Sequence, residues 1–65
     1  MKTQQNISKR DELKKLATKA QYDAVSHLDQ ILDFYVMRDC IEVVGRMGGD
    51  TITYRTYADG RCYER

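Results

Sequence analysis

His27 and Cys40 are the first residues in this chain whose types could do chemistry, because a thiol beside an imidazole makes an activated nucleophile. They stand thirteen positions apart, so on one helix they would point about 140° away from each other. His27 also falls within an apolar stripe, where a packed core or interface histidine is expected rather than a base. The carboxylates Asp23, Asp29, Asp33 and Asp39 do not converge; Asp29 and Asp33 are spaced as neighbours on the exposed side of a helix. Gly45-Arg46-Met47-Gly48-Gly49-Asp50 has the glycines of a phosphate loop but neither its closing Lys-Ser/Thr nor a following helix, and reads better as a hairpin turn. One histidine and two cysteines, Cys40 and Cys62, offer no metal-ligand spacing. The expectation is a protein that is not an enzyme, with no metal and no cofactor.

Basic and aromatic residues suggest different chemistry. Residues 1–21 carry six basic and two acidic side chains, whereas 22–50 carry two basic and six acidic. The formal net charge of +1 over 65 residues therefore hides a separation of +4 from −4. Lys9, Arg10, Lys14 and Lys15 could lie along phosphates, and Arg46, Arg55, Tyr57 and Arg61 could enter a groove or stack on bases. That set defines a DNA- or RNA-binding accessory factor as the alternative function.

The elements that would position these residues follow from periodicity. Ser8 followed by Asp11 resembles a capping box at a helix start. From Leu13 onward, Leu16, Ala17, Ala20, Ala24, His27, Leu28, Ile31, Phe34 and Tyr35 share one stripe about 120° wide. The spacing predicts one long helix over about 9–38, with a break near 22–26 as the alternative because Asp23 and Ser26 could cap a second helix. Residues 1–6 are polar and expected to fray. All four glycines lie beyond residue 44, where strands at about 40–46, 51–57 and 61–64 form a three-stranded antiparallel meander. The fold class is thus α+β in a single domain, 1–65.

Two turns set a testable register. Gly48-Gly49 as a two-residue turn pairs Arg46 with Thr51, Val44 with Thr53, Val43 with Tyr54 and Glu42 with Arg55. Asp59-Gly60 as a second such turn pairs Tyr57 with Cys62, Thr56 with Tyr63 and Arg55 with Glu64. One face then collects Ile41, Val43, Ile52, Tyr54 and Tyr63, and the other a Glu42–Arg55–Glu64 charge ladder. Cys40 and Cys62 would flank Tyr57 about 9–10 Å apart, too far for a disulfide.

A thirty-residue helix would be about 45 Å long against strands of about 23 Å, leaving Leu13, Leu16, Ala17, Ala20, Ala24 and His27 uncovered. Pairing that stripe with a second copy would bury it. An antiparallel arrangement lays the basic half of one helix along the acidic half of the other. The principal expectation is therefore a small non-enzymatic protein-interaction or regulatory module that homodimerises through its helix. No apolar run approaches the roughly 20 residues of a membrane span. With no export signal apparent, a cytoplasmic location is the default.

Overall fold

A computed structural model describes residues 8–65 of the chain, so the expected fraying of residues 1–6 lies outside the described residues. Ser8 caps the first helix as its position suggests, its hydroxyl accepting the Asp11 N–H at 3.2 Å. Helix α1 (Lys9–Leu16) carries Asp11 and Glu12 in its first turn and Lys14 and Lys15 in its last, the charge order that a helix dipole favours.

The long helix does not form. Ala17 is extended, with φ −88° and ψ 154°, and Thr18 starts a second helix, α2 (Lys19–Val25). The cause is a capping box at Thr18 and Gln21, upstream of the Asp23 and Ser26 caps expected from sequence. Thr18 Oγ1 accepts the Gln21 N–H at 3.2 Å, and Gln21 Oε1 accepts the Thr18 N–H at 3.0 Å. The two helices meet at 17–18; at 25–26 α2 ends with Ser26 as its C-cap, and a strand follows rather than another helix. Thr18→Ala should cost about 1 kcal/mol, a fall in Tm of about 4–8 °C for a domain this small. An unchanged melting curve would show that something other than this cap sets the break.

Residues 30–36 are the larger correction. They form strand β1 (Gln30–Val36), followed by β2 (Cys40–Met47), β3 (Asp50–Tyr57) and β4 (Cys62–Glu64). The sheet has four antiparallel strands in the order β1-β2-β3-β4, not three. Ile31, Phe34 and Tyr35 fit a helical period, but Ile31, Phe34, Tyr35 and Val36 are also the β-branched and aromatic types that suit strands. Pairing with β2 decides the matter: Phe34 stands opposite Val43, Tyr35 opposite Glu42 and Val36 opposite Ile41, with a bulge between Ile31 and Asp33.

The β2–β3 register follows the glycine turn, with Glu42 opposite Arg55, Val43 opposite Tyr54 and Arg46 opposite Thr51. Gly48 and Gly49 hold φ of 62° and 90°, the left-handed pair that a tight hairpin needs. The β3–β4 register is shifted by one. Gly60 at φ 93° follows a turn closed by Gly60 N–H on the Tyr57 carbonyl (2.8 Å), and Tyr57 N–H donates to the Arg61 carbonyl (2.8 Å). The loop therefore holds three residues, not two, and Arg55 pairs with Tyr63 while Thr56 pairs with Cys62. Shifting by one residue exchanges faces. Tyr63 leaves the apolar face, Glu64 drops out of the charge ladder, and Cys62 packs at the edge of the core. Both cysteines remain free thiols.

The helices cover one side of the sheet, α1 over β1 and α2 over β3. Leu13, Val25, Leu28, Ile31, Ile41 and Val43 form the core between them. Asp29 joins the helical layer to the hairpin, its carboxylate accepting the Gly48 N–H at 2.9 Å while its own N–H donates to the Arg46 carbonyl at 2.8 Å. Among the described residues no helix is long and apolar enough to cross a membrane.

Candidate functional site

The side of the sheet away from the helices is open, and strand alternation decides what it displays. Its central row runs Tyr35, Glu42, Arg55, Tyr63 across all four strands. On one side of it lie Cys40 and Tyr57; on the other lie Asp33, Val44, Thr53 and Arg65, then Arg46 and Thr51. Arg65 joins this face because its N–H continues the β4 ladder onto the Thr53 carbonyl at 2.7 Å.

Glu42 lies at the centre and is only 6% exposed. Its two oxygens are both engaged: Arg55 Nε donates to Oε1 at 3.1 Å and Arg65 Nη1 to Oε2 at 2.8 Å. The hydrogen bond to Glu42 raises the Arg55 pKa further above its ordinary value. At the β4 side the rings of Tyr57 and Tyr63 meet edge to face, 5.8 Å between centroids. Arg61 lies over Tyr57 at 5.7 Å, with its Nε held by Asp59 at 2.6 Å. The Arg61 backbone N–H, and then its side chain, hold the Asp59 carboxyl below its usual range. At the other side, Tyr35 donates to Asp33 at 3.3 Å. The charge of Asp33 and then this hydrogen bond raise the phenol pKa, so Tyr35 stays protonated. Asp33 is itself met by Lys9 at 3.8 Å. The face thus carries three tyrosines and three arginines, and each of its carboxylates has a cationic partner.

The sequence-derived nucleic-acid set is divided by this geometry. Arg46, Arg55 and Tyr57 share the open face, with Arg61 at its rim. Lys9, Arg10, Lys14 and Lys15 belong to α1 on the covered side. There Arg10 donates to the Ser26 carbonyl at 3.3 Å and Lys14 lies over the Tyr22 ring at 5.8 Å. A ligand lying flat on the open face meets the first group and, of the second, only Lys9 where it reaches Asp33 at the edge. Tyr35, Glu42, Tyr63 and Arg65 were missing from that set. Tyr35 had been assigned to a helix, Tyr63 was one residue out of register, and nothing local marks Arg65 as a partner of Glu42.

The proposed dimer stripe is dispersed as well. Leu13 is 1% exposed in the core, Ala17, Ala20 and Ala24 are half-buried, and Leu16 and His27 are exposed. His27 stands edge-on to Tyr54 at 5.8 Å, on the helix side, whereas Cys40 lies on the open side with its Sγ 3.9 Å from Met37 Sδ. They are not a nucleophile pair. Burial raises the Cys62 thiol pKa, which keeps it protonated. Among the described residues, no group of three or more His, Cys, Asp or Glu is placed to hold a metal ion.

A hollow of about 400 Å³ lies at the helix elbow, lined by Lys14, Ala17, Thr18, Lys19, Tyr22 and Asp23. A second, of about 390 Å³, lies between Glu12, Lys15, Leu16 and Phe34. Compared with family models, curated proteins and solved structures, the chain matches none.

Proposed function

We propose that this protein is a non-enzymatic binding module that takes single-stranded nucleic acid on the open face of its sheet. The observation that carries the reading is the row Tyr35–Glu42–Arg55–Tyr63 with Tyr57, Arg46 and Arg65 beside it, on a surface that neither α1 nor α2 covers. Aromatic rings offer stacking platforms to unpaired bases, and arginines in excess over unpaired acids attract the backbone. A duplex fits less well. Four strands place the outer two about 14 Å apart, wider than the roughly 12 Å major groove.

The test is fluorescence anisotropy with labelled oligothymidylate and oligouridylate of about 12 nucleotides. Binding is expected at about 50 mM salt and should weaken steeply as salt rises. Tyr57→Ala should weaken it by about 1–3 kcal/mol, the worth of one stacked base. Arg46→Ala should lower the salt slope by about 0.7, the contribution of one phosphate contact on a single strand. Lys15→Ala, on the covered side, should change neither. Absence of binding at about 50 mM salt would end this reading.

A self-associating protein module is the second reading, and a different observation favours it. Leu16, Val36 and Met37 are 61%, 60% and 40% exposed, and Phe34 and Leu16 line the second hollow. Self-association would then run through this α1–β1 edge, since the long helix first expected to pair is absent. Sedimentation at several concentrations, with Leu16→Glu as the disrupting variant, tests it; a monomer throughout rejects it.

A further inference from the structure

The carboxylate of Glu42 is out of place on a surface that binds a polyanion, unless it does something there besides repel. Resting on the reading above, we infer that Glu42 is a positioning residue that holds Arg55 and Arg65 as a preorganised clamp for one backbone phosphate. Glu42 is buried to 6% exposure on a face whose other members, Cys40 apart, are half-buried or exposed. It uses each oxygen on a different guanidinium, at 3.1 and 2.8 Å. Neither arginine is consumed by the contact. A guanidinium has five N–H donors; Arg55 spends its Nε and keeps both Nη groups, and Arg65 spends one Nη and keeps the other with its Nε. Their side chains stay 42% and 57% exposed, so the remaining donors are available to a ligand.

The side chains of Arg55 and Arg65 together outweigh that of Glu42 in charge. The clamp matches a phosphodiester, which bears one negative charge over two non-bridging oxygens that arginine forks bind well. Anchoring also removes, before binding, the rotamer freedom that long side chains would otherwise lose on binding. Tyr63 stands directly beside Arg55 in the row, and Tyr57 is in edge contact with Tyr63. A base stacked there would leave its phosphate over the clamp.

The inference makes a prediction of opposite sign to bulk electrostatics. Glu42→Gln removes a negative charge, so charge alone predicts tighter binding of an oligonucleotide. Loss of positioning predicts weaker binding, by roughly 10-fold, because the carboxylate that accepts from both guanidiniums becomes an amide with one neutral acceptor oxygen, whose NH2 cannot accept from the other. The salt slope should stay near that of the unchanged protein, because no cation is lost. Arg55→Lys and Arg65→Lys keep the charge and lose the fork, and each should weaken binding to a similar degree.

The measurement is anisotropy with labelled oligothymidylate, with far-UV circular dichroism of every variant. If the unchanged protein does not bind, the nucleic-acid reading itself fails. If it binds and folded Glu42→Gln binds as tightly or more tightly, the clamp is overturned and the nucleic-acid reading stands. Weaker binding by folded Glu42→Gln and both lysine variants supports the clamp. If Glu42→Gln unfolds, the lysine variants decide, since both side chains are half-exposed; unchanged binding in them overturns the clamp.

Discussion

Truncating Leu28 to alanine will lower the free energy of unfolding by about 2–5 kcal/mol. A domain of this length has about 3–10 kcal/mol in all, so the variant is left partly unfolded at room temperature or close to it. Leu28 belongs to neither helix nor strand; it lies between α2 and β1 and is 1% exposed. Its N–H donates to the Val25 carbonyl at 3.1 Å, turning the chain so that the side chain drops onto the sheet. There it joins Val25, Ile31, Ile41 and Val43 and sits over Gly45, its Cδ1 just 2.7 Å from where a Cβ on that glycine would be. Little around it can collapse into the space, because the sheet below is fixed by its ladder and the loop above by Asp29. Urea titration followed by circular dichroism measures the loss. A change under about 1 kcal/mol, below the range of such substitutions, would mean that the site collapses around the shorter side chain.

Gly45→Ala is the second large effect, and it acts by overfilling. An added Cβ would meet the Leu28 side chain at 2.7 Å and the Gln30 carbonyl oxygen at 2.8 Å. Leu28 can swing aside at some cost. Gln30 is backbone of the neighbouring strand, paired with Arg46 beside the β1 bulge, and can yield only if the strand moves. The expected cost is about 1–3 kcal/mol, a drop in Tm of roughly 5–20 °C. The two substitutions share an atom, so they should not add. In the Leu28→Ala background the first clash disappears and the second remains, and Gly45→Ala should cost less there by about 0.5 kcal/mol or more. A strictly additive double mutant would show that Leu28 does not rest on Gly45.

How much of this could be read beforehand depends on how local each cause is. The Ser8 cap and the Gly48-Gly49 hairpin are carried by neighbouring residues, and the pairs Glu42–Arg55 and Val43–Tyr54 follow from that turn alone. Strand alternation from that register puts Arg46, Arg55 and Tyr57 on one face. Thr18-x-x-Gln21 is equally local, but the apolar stripe from Leu13 to Tyr35 runs straight through it and points to a continuous helix. Tyr63 was missed for a narrower reason. A three-residue loop at Gly60 and a two-residue one carry the same Asp-Gly signature, and one residue of difference exchanges every side chain of β4 between faces.

Other features had no local cause. Ile31, Phe34 and Tyr35 satisfy the period of a helix and the composition of a strand equally well, and their state is set by pairing with Gly45, Val43 and Glu42 of β2, which lie beyond the reach of a helical turn. With β1 in the sheet, the uncovered 45 Å helix disappears, and with it the geometric need for a second copy. The burial of Glu42 depends on Arg65, 23 positions distant. Sequence by itself determined the caps, the central hairpin and the alternation of faces, because turns and caps are interactions within a few residues. Only the tertiary structure decided the fate of residues 30–36, the register of the last strand and the arrival of Arg65 as the second arginine on Glu42. Those depend on contacts whose cost in chain entropy is repaid only when the whole sheet closes.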